Sequence, residues 1–253
     1  MFTNAIVRTP CKGIREGITT STLGKPDYDL ALRQHSEYTD VLKKLGLNVR
    51  VLPEEKDFPD STFIEDVALC TPCCSVIASP GAESRRGEIR GIRQTLENYY
   101  FDIEEIKFPG TLEAGDVMMA GNHFFIGISN RTNKEGAEQL ISILEKHKMT
   151  GSKVPLKKML HLKSGTSYLE NGNLLVSGEF VKAEEFAGFK KIEVDKEEIY
   201  AANSLWINGT VLVPEGFPRT REKIEKAGYK TIVISVSEFR KIDGGLSCLS
   251  LRF

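Results

Sequence analysis

The sequence predicts an α/β protein built from repeated small units, and three features predict it. Short apolar runs of strand length recur along the whole chain. Helical patterns are few and sharply bounded. An acid–strand–turn–strand pattern returns at an interval of about 50 residues, from Asp66 to Asp116.

The strand-length runs are NAIVR, NVRVL, CSVIAS, DVMMA, HFFIGI, NLLVSG, SLWI, TVLVP and TIVISV, several of them bounded by Gly, Asn or Pro as strands joined by tight turns are. In KPDYDLALRQHSEYTDVLKKLGLN, Tyr38, Val41, Leu42 and Leu45 share one helix face and Gly46 reads as the C-cap. RTNKEGAEQLISILEKHKMTG repeats that pattern with Ala137, Leu140, Ile141 and Leu144, and Thr132 with Glu135 forms a capping box at its start. PRTREKIEKAG is a third, shorter helix closed by Gly228. EDVALCTPCCSVIASPGAESRRGEI and EAGDVMMAGNHFFIGISNRTNKEGAEQL have the same internal order, ENGNLLVSGEF is a shorter copy, and ANSLWINGTVLVPEGFPRTREKI completes another. Such recurrence implies units packed around an axis. No Pro/Ser-rich linker or low-complexity stretch divides them, so residues 1–253 read as one domain.

Composition narrows the functional classes. At 253 residues, with 40% hydrophobic and 27% charged residues, the chain is that of a soluble globular protein with a sizeable core. Thirty-four Lys+Arg against 35 Asp+Glu leave a net charge of −1, which gives no electrostatic ground for a nucleic acid or an anionic membrane as partner. MFTNAIVRTP does not read as a signal peptide, and no apolar run is long enough to span a bilayer. Five cysteines, an odd number, then argue for reduced thiols and a cytoplasmic location. The sequons at Asn130 and Asn208 are chance matches in that compartment.

Four places carry chemistry-bearing side chains, each with a plainer alternative. DSTFIEDVALC places Asp60, Glu65 and Asp66 just before an apolar strand, where most acidic clusters are only solvated loop ends. PGTLEAGDVMM holds Glu113 and Asp116 in a Gly-rich turn. LHLKSGTSYLENGN carries His161, in a setting where a lone histidine is more often structural. KIDGGLSCLSLRF puts Cys248 behind Asp243-Gly244-Gly245, as gap filler under a strand or as a thiol held still for attack. A thiolate, a histidine that moves protons and acids that orient them make a nucleophilic site. Cys70-x-x-Cys73 in CTPCC has zinc-ligand spacing but lacks a second Cys/His pair, so no metal is expected.

Read in order, GITTSTLGKPDY, FIEDVALC, PGAESRRGE, GTLEAGDVMM, SNRTNKEGAEQ, LHLKSGTSYLE, FPRTREKI and KIDGGLSCLSLRF resemble the dimethylarginine dimethylaminohydrolases, a family of the guanidine-modifying (pentein) superfamily, over essentially the whole chain. The resemblance implies a five-bladed α/β propeller with pseudo-fivefold symmetry and an active site in its central channel. It implies hydrolysis of dimethylarginine or monomethylarginine to citrulline and the methylated amine, without a cofactor, and a possible homodimer. Cys248 matches the nucleophile, His161 the general acid/base and Glu113 the carboxylate that works with it. Asp66 matches the acid gripping the guanidinium; Asp60 and Glu65 match further pocket acids, and Arg85 and Arg131 the arginines at the amino-acid end. Ile18 falls on the lid, where a leucine is usual, and Ile242 and Asp243 shape the pocket beside the nucleophile.

Two carboxylates suit a planar cation, and Asp66 with Glu113 from different units are expected to supply them. The Gly244-Gly245 pair is expected to give the backbone freedom to aim Cys248. Arginine deiminase shares the same chemical logic, but the short length and KIDGGLSC favour the methylarginine enzyme. A non-catalytic arginine-binding relative would lack the cysteine or the histidine, and neither is missing.

Overall fold

The computed structural model describes residues 1–253. Its strands are β1 (Asn4–Arg8), β2 (Asn48–Leu52), β3 (Ala68–Cys70), β4 (Ser75–Ile77), β5 (Ile103–Glu105), β6 (Val117–Ala120), β7 (His123–Ile128), β8 (Thr150–Pro155), β9 (Thr166–Tyr168), β10 (Asn173–Val176), β11 (Lys190–Glu193), β12 (Leu205–Ile207), β13 (Thr210–Pro214), β14 (Lys230–Ile234) and β15 (Leu251–Arg252). The helices are α1 (Tyr28–Lys44), α2 (Ile92–Leu96), α3 (Lys134–Lys146), α4 (Leu162–Gly165), α5 (Pro218–Lys226) and α6 (Ser237–Arg240). None is long and apolar enough to cross a membrane.

The strands form five three-stranded sheets: β15-β1-β2, β3-β4-β5, β6-β7-β8, β9-β10-β11 and β12-β13-β14. In each, the first strand runs antiparallel to the second, and the second parallel to the third. A tight turn suffices for the antiparallel step, whereas the parallel step needs a crossover, which is where α1, α3 and α5 lie. This is a five-bladed α/β propeller. The middle strands are the continuous apolar runs legible in the sequence. The outer strands β5, β8 and β11 are mostly polar and partly exposed, and carry no comparable pattern.

Each seam between neighbouring blades has its own apolar cluster. Ile6 and Leu251 of the first blade meet Val67, Ala68 and Ile77 of the second. Val76 and Ala78 meet Val117, Phe124 and Leu140. Met118 and Phe125 meet Leu174 and Val176, Leu175 meets Val211 and Val213, and Leu205 and Leu212 return to Ala5 and Val7. At roughly 1.5–3 kcal/mol for each large side chain fully buried, these seams supply most of the cohesion between blades.

The first blade draws on both ends of the chain. Ile6 pairs with Leu251 and Ala5 with Arg252, while the Thr3 and Asn4 amides both donate to the Phe253 carbonyl, at 2.9 and 2.8 Å. The segment carrying Cys248 is therefore anchored in a sheet three residues further on, which a frayed terminus would not provide.

Helix α1 behaves as its pattern predicts, burying Ala31, Tyr38 and Leu42, with Asp27 as N-cap accepting from the Leu30 amide at 2.8 Å. Helix α3 departs in one detail. Its cap is Asn133, whose side chain accepts from the Gly136 amide at 2.8 Å, so the Thr132–Glu135 box does not form. The Thr132 hydroxyl turns inward and accepts from the Glu113 amide at 3.2 Å.

Candidate active site

The first strand of every blade is preceded by a short helical turn, and these turns pack against one another around the axis. Pseudo-symmetry thus brings together residues far apart in sequence. The turn before β3 carries Asp66, Glu113 immediately precedes the turn before β6, and His161 precedes α4 ahead of β9. The turn before β12 ends at Asn203, and the turn before β15 carries Cys248.

His161 Nε2 lies 2.9 Å from Glu113 Oε2. Glu113 is wholly buried, and its other oxygen accepts from the Ala82 amide at 3.0 Å and from Arg131 at 3.3 Å. Burial alone would neutralise both partners. For His161 it is outweighed by Asp116, Asp66 and Glu113, which hold the imidazole above its ordinary range; for Glu113 it is outweighed by His161 and the two arginines, which hold the carboxyl below its own. The resting pair is imidazolium and carboxylate.

Cys248 and His161 both line two small adjoining cavities. One is walled by Ile18, Asp60, Phe63, Asp66, Arg85, Arg131, Leu160, Ile242, Asp243 and Gly244. The other is bounded by Gly115, Lys163, Ser164, Tyr200, Asn203, Asp243, Gly245 and Ser247. Nine of the eleven residues singled out in the sequence (Ile18, Asp60, Asp66, Arg85, Arg131, His161, Ile242, Asp243 and Cys248) therefore share the first cavity.

Asp66 is fixed from two sides: Oδ2 receives Arg85 Nη1 at 2.6 Å and Oδ1 the Gly115 amide at 2.9 Å. Gly115 must lack a side chain, because a Cβ there would sit 2.7 Å from Asp66 Oδ1 and 3.1 Å from His161 Cγ. Arg85 is itself buried and gives further donors to Glu88 and to the Phe63 and Asp60 carbonyls. Arg131 bonds only Glu113 through its guanidinium, leaving most of its donors for another partner. The segment of Ile18 and Thr20 is pinned to two acids that line the first cavity. Asp60 accepts from the Ile18 amide at 3.1 Å, and Asp243 from the Thr20 amide and hydroxyl at 2.6 and 3.0 Å.

The Cys248 thiol is pushed up to about 12 by burial first, then by Glu65 and Asp66. Only the Gly245 amide donates to Sγ, at 3.4 Å. At neutral pH Cys248 is therefore a neutral thiol.

Three expectations need correction. Glu65 does not face the cavity of Asp66. Its carboxylate takes Arg252 at 2.6 Å, Lys163 at 2.7 Å and the Ser247 hydroxyl at 2.8 Å, forming a floor beneath the Cys248 turn. Neighbouring residues on a helical turn point in different directions, so Glu65 and Asp66 part company. Glu113 lines neither cavity; its carboxylate is taken up by His161, Arg131 and the Ala82 amide instead. Neither Gly244 nor Gly245 has a left-handed φ; that conformation falls to Asp243, at +59°. The two glycines are required by close packing, since a Cβ would lie 2.1 Å from Phe63 at the first and 2.5 Å from Asn203 at the second.

CTPCC assembles no metal-ligand group of three; the one such group is Asp66, Glu113 and His161. Two of those carboxylates are already paired with arginines, Asp66 with Arg85 and Glu113 with Arg131. Asn203, Gly115, Lys163 and Arg252 escaped the sequence reading. Only Gly115 lay within a quoted motif with the spacing to suggest a close approach.

Residues 24–181 match the family described as N,N dimethylarginine dimethylhydrolase, eukaryotic. The chain is 54% identical to the N(G),N(G)-dimethylarginine dimethylaminohydrolase of Pseudomonas aeruginosa over 100% of both chains. Two solved structures cover all of this chain and all of their own at 54% identity and a TM-score of 0.99. One is a cysteine-to-serine mutant of the P. aeruginosa enzyme complexed with citrulline, and the other a histidine-to-glycine dimethylarginine dimethylaminohydrolase in adduct with S-methyl-L-thiocitrulline. With the same fold along its whole length and with a cysteine and a histidine meeting at the propeller axis, this chain belongs to the dimethylarginine dimethylaminohydrolase family.

Proposed function

We propose that the chain hydrolyses Nω,Nω-dimethyl-L-arginine and Nω-monomethyl-L-arginine to L-citrulline and dimethylamine or methylamine, through a thiouronium on Cys248. The observation carrying this is the single cavity in which Cys248 and His161 face Asp66 and two arginines. The guanidinium lies against Asp66, and the α-carboxylate meets Arg131, which has most of its donors free, and Arg85. Asp60 and Asp243 line the path between them, with Ile18 and Ile242 enclosing it.

The bound cation counteracts the carboxylate field on Cys248 and lets the thiol ionise, its proton passing to solvent because His161 is already protonated. The thiolate adds to the guanidinium carbon. His161 donates its proton to the departing amine as the C–N bond breaks, leaving the thiouronium. Neutral His161, held by Glu113, then takes a proton from water as its oxygen adds to the same carbon. The C–S bond breaks as the added hydroxyl gives its remaining proton to solvent, citrulline leaves with the water oxygen, and thiolate and imidazolium are both restored. Residues 1–253 act as one catalytic unit, a reading supported by the closure of the first blade by both ends of the chain.

The test is citrulline release from dimethylarginine and from arginine, with wild type beside Cys248→Ala. Release from the methylated substrate, lost in the variant, is expected. Faster turnover of arginine would replace the substrate assignment, and no citrulline from either would remove it.

A further inference from the structure

Four of the five axial turns deliver a residue that the proposed reaction uses; the fifth delivers Asn203. This side chain is nearly buried, at 6% exposure, and lies two residues before the start of β12. Its Oδ1 accepts from the Ser247 amide at 2.9 Å. Its Nδ2 donates to the Lys163 carbonyl at 2.9 Å and to the Ser247 hydroxyl at 3.0 Å. Lys163 lies two residues beyond His161, and Ser247 is the residue before Cys248. The same amide packs against Gly245, whose N–H is the donor to Cys248 Sγ. A second contact from this turn, Tyr200 OH to the Gly244 carbonyl at 2.7 Å, holds the next peptide along.

We propose that Asn203 is a positioning residue for the reaction: one side-chain amide ties the turn carrying Cys248 to the turn carrying His161. The inference rests on the function proposed above. Thiol and imidazole come from different blades and share no covalent path shorter than the loops between them. A side chain bonding both turns is therefore what fixes their mutual distance. Asparagine suits this because one flat group supplies an acceptor and two donors. Aspartate retains the acceptor for Ser247 and loses both donors.

The test compares Asn203→Ala and Asn203→Asp with wild type on dimethylarginine. Misplacing reacting groups by about 1 Å costs on the order of 100-fold, so kcat is expected to fall about 10- to 100-fold in the alanine variant and less in the aspartate variant. KM should stay within about threefold. Substrate Kd, measured in the Cys248→Ala background with and without Asn203→Ala, should be unchanged. Carbamidomethylation of Cys248 by iodoacetamide, followed by peptide mass across pH, is expected to begin at lower pH once the turn is released. A folded alanine variant with wild-type kcat overturns the proposal, as does a loss lying wholly in Kd. Unfolding of both variants also overturns it, since the role would then be structural. If wild type releases no citrulline, the substrate reading fails, and the alkylation profile alone decides on Asn203: an unchanged profile removes the clamp.

Discussion

His161 and Glu113 are joined by one 2.9 Å hydrogen bond, and only His161 reaches the cavities. The carboxylate holds the imidazole in orientation and in charge. Glu113→Gln keeps the shape and removes the charge. Its kcat is expected to fall about 100- to 1,000-fold, in the range of acid–base contributions, with KM nearly unchanged. Steady-state kinetics check this, and a KM rising as steeply as kcat falls would make Glu113 a substrate ligand.

The Cys248 thiol sits above its ordinary range, at about 12, because of burial and then Glu65 and Asp66. A raised value means the proton is retained through neutral pH. A cation bound against Asp66 adds the opposite field and lowers the value. Thiolate ultraviolet absorbance, titrated with and without a non-reacting guanidinium ligand, should show ionisation at lower pH when the ligand is present. An unmoved titration would end the idea that substrate helps to generate its own nucleophile.

Glu65 separates stability from substrate binding. Glu65→Gln leaves Lys163 and Arg252, both mostly buried, without their carboxylate. Removing one partner of a buried pair costs about 3–5 kcal/mol, so thermal unfolding should occur at a clearly lower temperature. KM should not change, since Glu65 does not line the cavity of Asp66. A raised KM at unchanged stability would return it to the pocket.

Gly115→Ala places a methyl 2.7 Å from Asp66 Oδ1. Asp66 and His161 must shift apart, and activity should fall on the order of 100-fold with a much smaller change in melting temperature. Near-normal kcat would show that the two side chains tolerate displacement.

Much of this was legible in the sequence, for definable reasons. The middle strands β1, β7 and β13 are buried on both faces and show as unbroken apolar runs, and α1 and α3 show their faces. Polar outer strands such as β5 and β11 left no pattern. Cys248, His161 and Asp66 each had a plainer reading alone; only the ordered set of motifs and its resemblance to the family singled them out, and the structure brings all three to one cavity. Glu65 was misread because sequence proximity to Asp66 says nothing about side-chain direction on a tight turn. Asn203 left no local signal at all. Its partners lie 40 and 44 residues away, and only the fivefold arrangement brings them within reach.

The pairing of β15 with β1 has a consequence for how the protein becomes reactive. Contacts across about 250 residues are slow to form. The same C-terminal segment that shuts the ring also brings the sulfur to its place. Assembly and arming are therefore one event. A chain whose circle is still open carries a cysteine with neither the imidazole nor the substrate acid beside it.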